Sequence, residues 1–231
     1  MAATLKVLSA GAVRQGVVAV AKNFERASGT GADMDFSSAP KVKARALAGE
    51  QADVLIASST ALDALAQETK IVGERATLGR SRMVVVMRKG ATAPDLSTAA
   101  AFRKAMLDAE FILNNQGSSG IYAEQLIDRL DLRKAMGAKF RTVQNGAEMV
   151  EILASHPGRA FGLAQISNLI DHVGRGAAVE LAGFFPEEIQ NATLYQAAAS
   201  ANSRDPALAE RFVRTFASAE SRKLLTASGL D

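Results

Sequence analysis

Short apolar runs alternate along the chain with stretches whose apolar residues recur every three or four positions, the pattern of strands interleaved with helices. Residues 5–8 read as a first strand, ending in Ser9-Ala10-Gly11-Ala12. Val13, Val17, Val20, Ala21 and Phe24 then line one face of a helix, and Gly29 closes it. Residues 32–36 read as a second strand, and Ser37-Ser38-Ala39-Pro40 turns into a second helix. Residues 53–57 form a third strand, with a helix over 60–66. After about residue 78 comes the most apolar strand, 82–88, around Met83-Val84-Val85-Val86-Met87. The later pattern predicts helices over 99–109, 121–130, 147–155, 206–217 and 219–228, and strands over 110–114, 139–143, 160–164 and 194–200. The fold class is α/β, in two similar halves.

Composition narrows the picture without changing it. The 231 residues are 48% hydrophobic and 22% charged, the profile of a globular chain long enough for one large domain or two lobes. Cysteine is absent, which removes disulfides, thiolate metal sites and a cysteine nucleophile. The net charge is only +3, with basic residues scattered, 5% aromatics and no tryptophan, so no nucleic-acid partner is expected. No run of about 18 apolar residues could span a membrane. Met1-Ala2-Ala3-Thr4 leads straight into apolar residues with no basic leader region, so either the protein is cytoplasmic or a leader has been removed from a periplasmic one.

Candidate chemistry lies where strands run into helix amino termini, because unsatisfied N–H groups and the helix dipole together favour an anion there. Three loops qualify: Ala10-Gly11-Ala12, Ser37-Ser38-Ala39, and Gly117-Ser118-Ser119-Gly120. Serine capping and glycine turns account for each loop taken singly, and the three together point to a shared ligand cleft. Lys41 could face an anion in it, as could Arg80, which with Arg82 flanks the long strand and could grip a carboxylate bidentately. Tyr122, Tyr195 and Gln165 are further polar candidates; local packing is the commoner role for the tyrosines. Catalytic patterns are scarce. His156 and His172 both sit at predicted helix ends, in solvent or capping positions. Ser38-Ala39-Pro40-Lys41 has the SxxK spacing of serine acyl-enzymes but lacks the companion SDN and KTG elements. Gly29-Thr30-Gly31 begins a GxGxxG pattern that Met34 breaks. No cofactor or metal motif occurs, and the expectation is a binding protein that is not an enzyme.

Leu5-Lys6-Val7-Leu8-Ser9-Ala10-Gly11-Ala12-Val13, Phe36-Ser37-Ser38-Ala39 and Ala48-Gly49-Glu50-Gln51-Ala52-Asp53-Val54-Leu55-Ile56-Ala57 resemble the molybdate-binding proteins of ABC importers. Gly117-Ser118-Ser119-Gly120-Ile121-Tyr122 and Gly162-Leu163-Ala164-Gln165-Ile166-Ser167 are similar to a divergent branch of that family. The resemblance implies a type II periplasmic-binding-protein fold: one Rossmann-like lobe of residues 1–80 and 193–231, another of 81–192, two hinge strands, and a small anionic ligand between the lobes. It implies a monomer that delivers its ligand to the membrane subunits of an ABC transporter; a cytosolic ligand sensor is the alternative. Ala12 and Ala39 stand where the family carries hydroxyls, and Gln165 near its tyrosine. That retuning favours a di- or tricarboxylate over molybdate or tungstate.

Overall fold

The computed structural model describes residues 4–231, and they divide into two compact units. One runs to Ser81 and resumes at Thr193–Asp231; the other is Arg82–Ala192.

In the first unit, β1 (Thr4–Ala10) lies between β2 (Gly31–Ser37) and β3 (Val54–Ser58), parallel to both. Strand β9 (Ala192–Ser200) adds to β3 antiparallel, placing Tyr195 opposite Ser58. All five residues of β3 are buried, because helices cover both faces of a parallel sheet and no position is left for a polar alternation. The helices are α1 (Arg14–Ser28), α2 (Ala39–Leu47) and α3 (Ser59–Gln67). Gly29 ends α1 in the left-handed conformation at φ 70°, which accounts for the first glycine of the broken GxGxxG pattern.

Strand β4 (Ile71–Arg88) begins in the first unit, and its residues 83–88, in the second, are antiparallel to β7 (Ala160–Gln165) and β8 (Val179–Phe184). Strand β5 (Phe111–Asn115) is parallel to β7 and to β6 (Phe140–Val143). Alternation along β4 separates two cores: Met83, Val85 and Met87 pack with Phe102 and Phe161, whereas Val84 and Val86 pack with Leu113 and Leu153. Its helices are α4 (Ala99–Asp108), α5 (Ser118–Arg129), the single turn α6 (Arg133–Met136), α7 (Gly146–Ser155) and α8 (Ile166–Gly174). The chain then returns to the first unit for α9 (Pro206–Thr215) and α10 (Ala219–Ala227).

Several boundaries differ from the expected ones. The strand expected over 82–88 begins at Ile71, since its first half alternates exposed and buried residues and lacks an apolar run. Strand β8 was not expected, because its apolar positions are split by Glu180 and Gly183. Helix α5 starts three residues early, at Ser118. His172 is buried in the last turn of α8 instead of facing solvent, while His156 does end α7, with its Nε2 2.9 Å from Glu110 Oε2.

Candidate functional site

Strand β1 delivers Ala10 into a single 3-10 turn, Gly11–Val13, that runs on into α1. Neither Ala10 nor Val13 caps these turns with a side chain. In the β1–β2 register Ala10 pairs with Ser37, and a Cβ on Gly11 would lie 3.6 Å from the Ser37 carbonyl oxygen, so the first two candidate loops are neighbours. Ala12 is half-buried against the core, and Ala39 is buried in it. Ser38 caps α2, its Oγ accepting the Lys41 N–H at 3.4 Å, while the Lys41 side chain is exposed. The SxxK spacing is thereby explained as a helix cap. Arg80 is exposed and its backbone exchanges hydrogen bonds of 2.7 and 3.0 Å with Asp231. Tyr195 is buried in the core of this unit.

Arg14 and the Ser58–Thr60 pair here went unremarked in the sequence, whereas Ser37 belongs to the second candidate loop. Arg14, the first residue of α1, lies with its guanidinium carbon 3.9 Å from the centroid of the Phe36 ring on β2. The Ser37 hydroxyl oxygen is buried without a hydrogen-bond partner among the described residues. At the end of β3, Ser58 and Thr60 share a hydroxyl hydrogen bond of 3.2 Å. The available signal was a cation in the first helical turn, where the dipole disfavours positive charge.

In the second unit the Gly-Ser loop is organised by Asn115, at the end of β5. Its Oδ1 accepts the Gly117 N–H at 2.7 Å and its Nδ2 donates to Ser119 Oγ at 3.2 Å. A Cβ on Gly120 would fall 1.4 Å from the Asn115 carbonyl oxygen, so only glycine fits. Ser119 is buried and Ser118 half-buried. Tyr122 donates its hydroxyl to the Ile189 carbonyl at 2.7 Å and accepts from Arg129 at 3.0 Å, which ties it into the fold. Gln165 ends β7, buried opposite Met83 of β4. Behind the loop, Glu124 is held by Arg133 at 2.6 Å and by Asn114 and Thr142 at 3.0 Å each. Burial works to raise its carboxyl pKa, and these hydrogen bonds more than offset that and hold it below the usual value. Arg82 pairs with Glu187 and stacks on Phe184.

These loops place small residues and hydroxyls at strand carboxyl ends in both units, as ligand sites on α/β sheets do. The sequence model of the bacterial extracellular solute-binding proteins matches residues 5–231. The chain belongs to that family. Among solved structures of low sequence identity, the periplasmic molybdate-binding protein of Azotobacter vinelandii superposes with a TM-score of 0.80 at 18% identity, covering 98% of each chain. A substrate-binding protein of an ABC transporter from Agrobacterium tumefaciens gives 0.78 at 17%, covering 97% of this chain and 78% of that one. The fold of this solute-binding protein is therefore the type II fold implied by the resemblance. One finding corrects an expectation. An aconitate isomerase from a Pseudomonas species is 30% identical over 236 residues, covering 98% of this chain and 87% of the relative. The expectation that this protein is not an enzyme is contradicted by this relative, which carries an enzyme's name and matches along 98% of the chain. The absence of a familiar catalytic motif was the ground for that expectation.

Proposed function

We propose that this protein binds an unsaturated tricarboxylate and interconverts its geometric isomers, aconitate being the substrate to test. The observation that carries the reading is the 30% identity to an aconitate isomerase across 98% of the chain. Aconitate is a propene bearing three carboxylates. A base that removes a methylene proton leaves an allylic carbanion delocalised onto the carboxylates. Returning a proton to the former vinyl carbon shifts the double bond and lets its geometry be set anew. The electron count and composition are unchanged, so no redox partner enters. Such a substrate needs cations for its carboxylates, and the Lys41 and Arg80 side chains carry no ion pair among the described residues. Ala12 and Ala39 stand where the molybdate-binding proteins that the sequence resembles carry hydroxyls, which suits molybdate less.

Proton NMR in D2O tests this directly. Incubation with either isomer should converge on one isomer ratio, with deuterium entering the carbon that is reprotonated. No interconversion at stoichiometric protein would refute the reading.

The match over residues 5–231 favours a second role for the same site, capture of an organic di- or tricarboxylate in the periplasm for the membrane subunits of an ABC transporter. Ligand that stays with the protein through gel filtration would support it.

A further inference from the structure

Asn145 is the one asparagine in the chain that is followed by glycine. It is exposed between β6 and α7, and its side chain caps the helix. Asn145 Oδ1 accepts the N–H groups of Ala147 at 3.0 Å and Glu148 at 3.1 Å. Gly146 is the first residue of α7, so its own N–H has no helical carbonyl to reach, and it donates to no group among the described residues. A side-chain amide carbon thus precedes a backbone nitrogen that no hydrogen bond occupies and no side chain shields.

Packing also keeps glycine at this place. A Cβ on Gly146 would fall 2.4 Å from Asn168 Oδ1 and 3.2 Å from His172 Nε2, both on α8. Two separate demands therefore bring the pair together: α7 takes an asparagine as its cap, and the side chains of α8 take the space beside the next residue.

We propose that Asn145–Gly146 is a site of spontaneous covalent modification, at which the asparagine loses ammonia and becomes aspartate and isoaspartate. Hydroxide removes the Gly146 amide proton, and the nitrogen attacks Asn145 Cγ to close a succinimide ring. The Cγ–Nδ2 bond breaks, and Nδ2 leaves as ammonia with a proton from water. Water then opens the ring, at Cγ to give aspartate or at the Asn145 backbone carbonyl carbon to give isoaspartate. No oxidant or reductant takes part. The cap assists the first step, because the oxygen that becomes negative is Oδ1, on which two backbone N–H groups already converge. Ring closure turns Asn145 out of its extended ψ of 177°, a rotation at the cap residue, outside the hydrogen-bonded turns of α7.

The two products act differently on α7. Aspartate keeps the capping acceptor and adds negative charge at a helix amino terminus, where it is favoured. Isoaspartate inserts a methylene into the main chain just before Gly146, which is packed too closely against α8 to shift freely. Val143 of β6 pairs with Asn115 of β5, so the altered turn follows the strand next to the one that ends in the Gly-Ser loop.

Mass spectrometry of tryptic peptides from folded protein held at mildly alkaline pH tests this. The peptide 142–159 contains Asn145 and no other asparagine. It should gain the mass difference between NH2 and OH sooner than the peptide holding the exposed Asn202, and it should accept methyl groups from an isoaspartyl methyltransferase. Asn145→Ser retains a cap and should abolish both signals. Asn145→Asp should melt no lower than wild type, whereas the isolated isoaspartate fraction should melt below it. A peptide 142–159 that stays unmodified in folded protein, whether or not urea-unfolded protein is modified there, overturns the proposal. A mass gain that persists in Asn145→Ser overturns it too, since Gln144 would then be the source.

Discussion

Asp53 opens the Ala52-Asp53-Val54 element, the most specific part of the sequence resemblance, and its contacts explain why an acid stands there. Its carboxylate accepts the Lys6 N–H at 2.8 Å on one oxygen, and the Ser203 hydroxyl and Arg204 N–H at 2.9 Å on the other. The group is buried at the amino-terminal end of β3, away from the candidate loops, and joins β1 to the segment entering α9. Asp53→Ala should cost about 3 kcal/mol by urea denaturation, because it strands three donors of a charge-assisted set. Gly120 is as constrained, by close approach and not by a left-handed backbone. With the Asn115 oxygen 1.4 Å from where a Cβ would stand, Gly120→Ala must rebuild the Gly-Ser loop. A lowered melting point and altered ligand affinity should appear together. Ser38→Ala removes a cap and should cost about 1 kcal/mol of stability. Glycine and serine in these loops were legible as turn and anion signals in the sequence. Asn115 was not, because its role depends on which backbone groups return to it.

At the scale of elements, α2 is fastened to its neighbours by charge. Arg45, in its last turn, reaches Glu50 in the following loop at 2.6 Å and also pairs with Asp35 on β2, while Lys6 on β1 reaches Glu50 at 3.3 Å. The Arg45 hydrogen bond, followed by smaller contributions including Lys6, brings the Glu50 pKa down from 4.5 to about 2, and Arg45 lowers that of Asp35. A carboxyl pKa depressed by folding stabilises the protein above the unfolded value and stops doing so as pH falls through the folded one. Stability from Glu50 should thus be complete above about pH 4.5 and fade towards about pH 2. A urea midpoint that falls less steeply over this window in Glu50→Gln than in wild type, with the difference shrinking in salt, is the expected result. The strand–helix alternation behind this arrangement was visible in the spacing of apolar residues. Strand β8 and the first half of β4 were not, since half-exposed strands carry polar residues that mask the apolar rhythm.

At the scale of the molecule, the ligand should dominate stability measurements. Aconitate at 100 times its dissociation constant should add about 2.7 kcal/mol. For a chain of this length that corresponds to a melting-point rise of roughly 5–10 °C. A thermal-shift series in which aconitate raises the midpoint and molybdate leaves it unmoved would support the carboxylate reading; the reverse order would favour an oxyanion ligand.

The sequence by itself determined the α/β class, the alternation of most strands and helices, and the loops at strand carboxyl ends, because each is written in local periodicity and turn chemistry. It also carried the relationship to the solute-binding proteins, in the runs around Gly11, Ser38 and Asp53. Only the tertiary structure decided which polar groups are already engaged. Ser38 binds its own helix and Tyr122 binds Ile189, whereas the Lys41 and Arg80 side chains make no ion pair among the described residues. Whether a donor is satisfied depends on partners distant in the chain, and no spacing rule in one sequence records those.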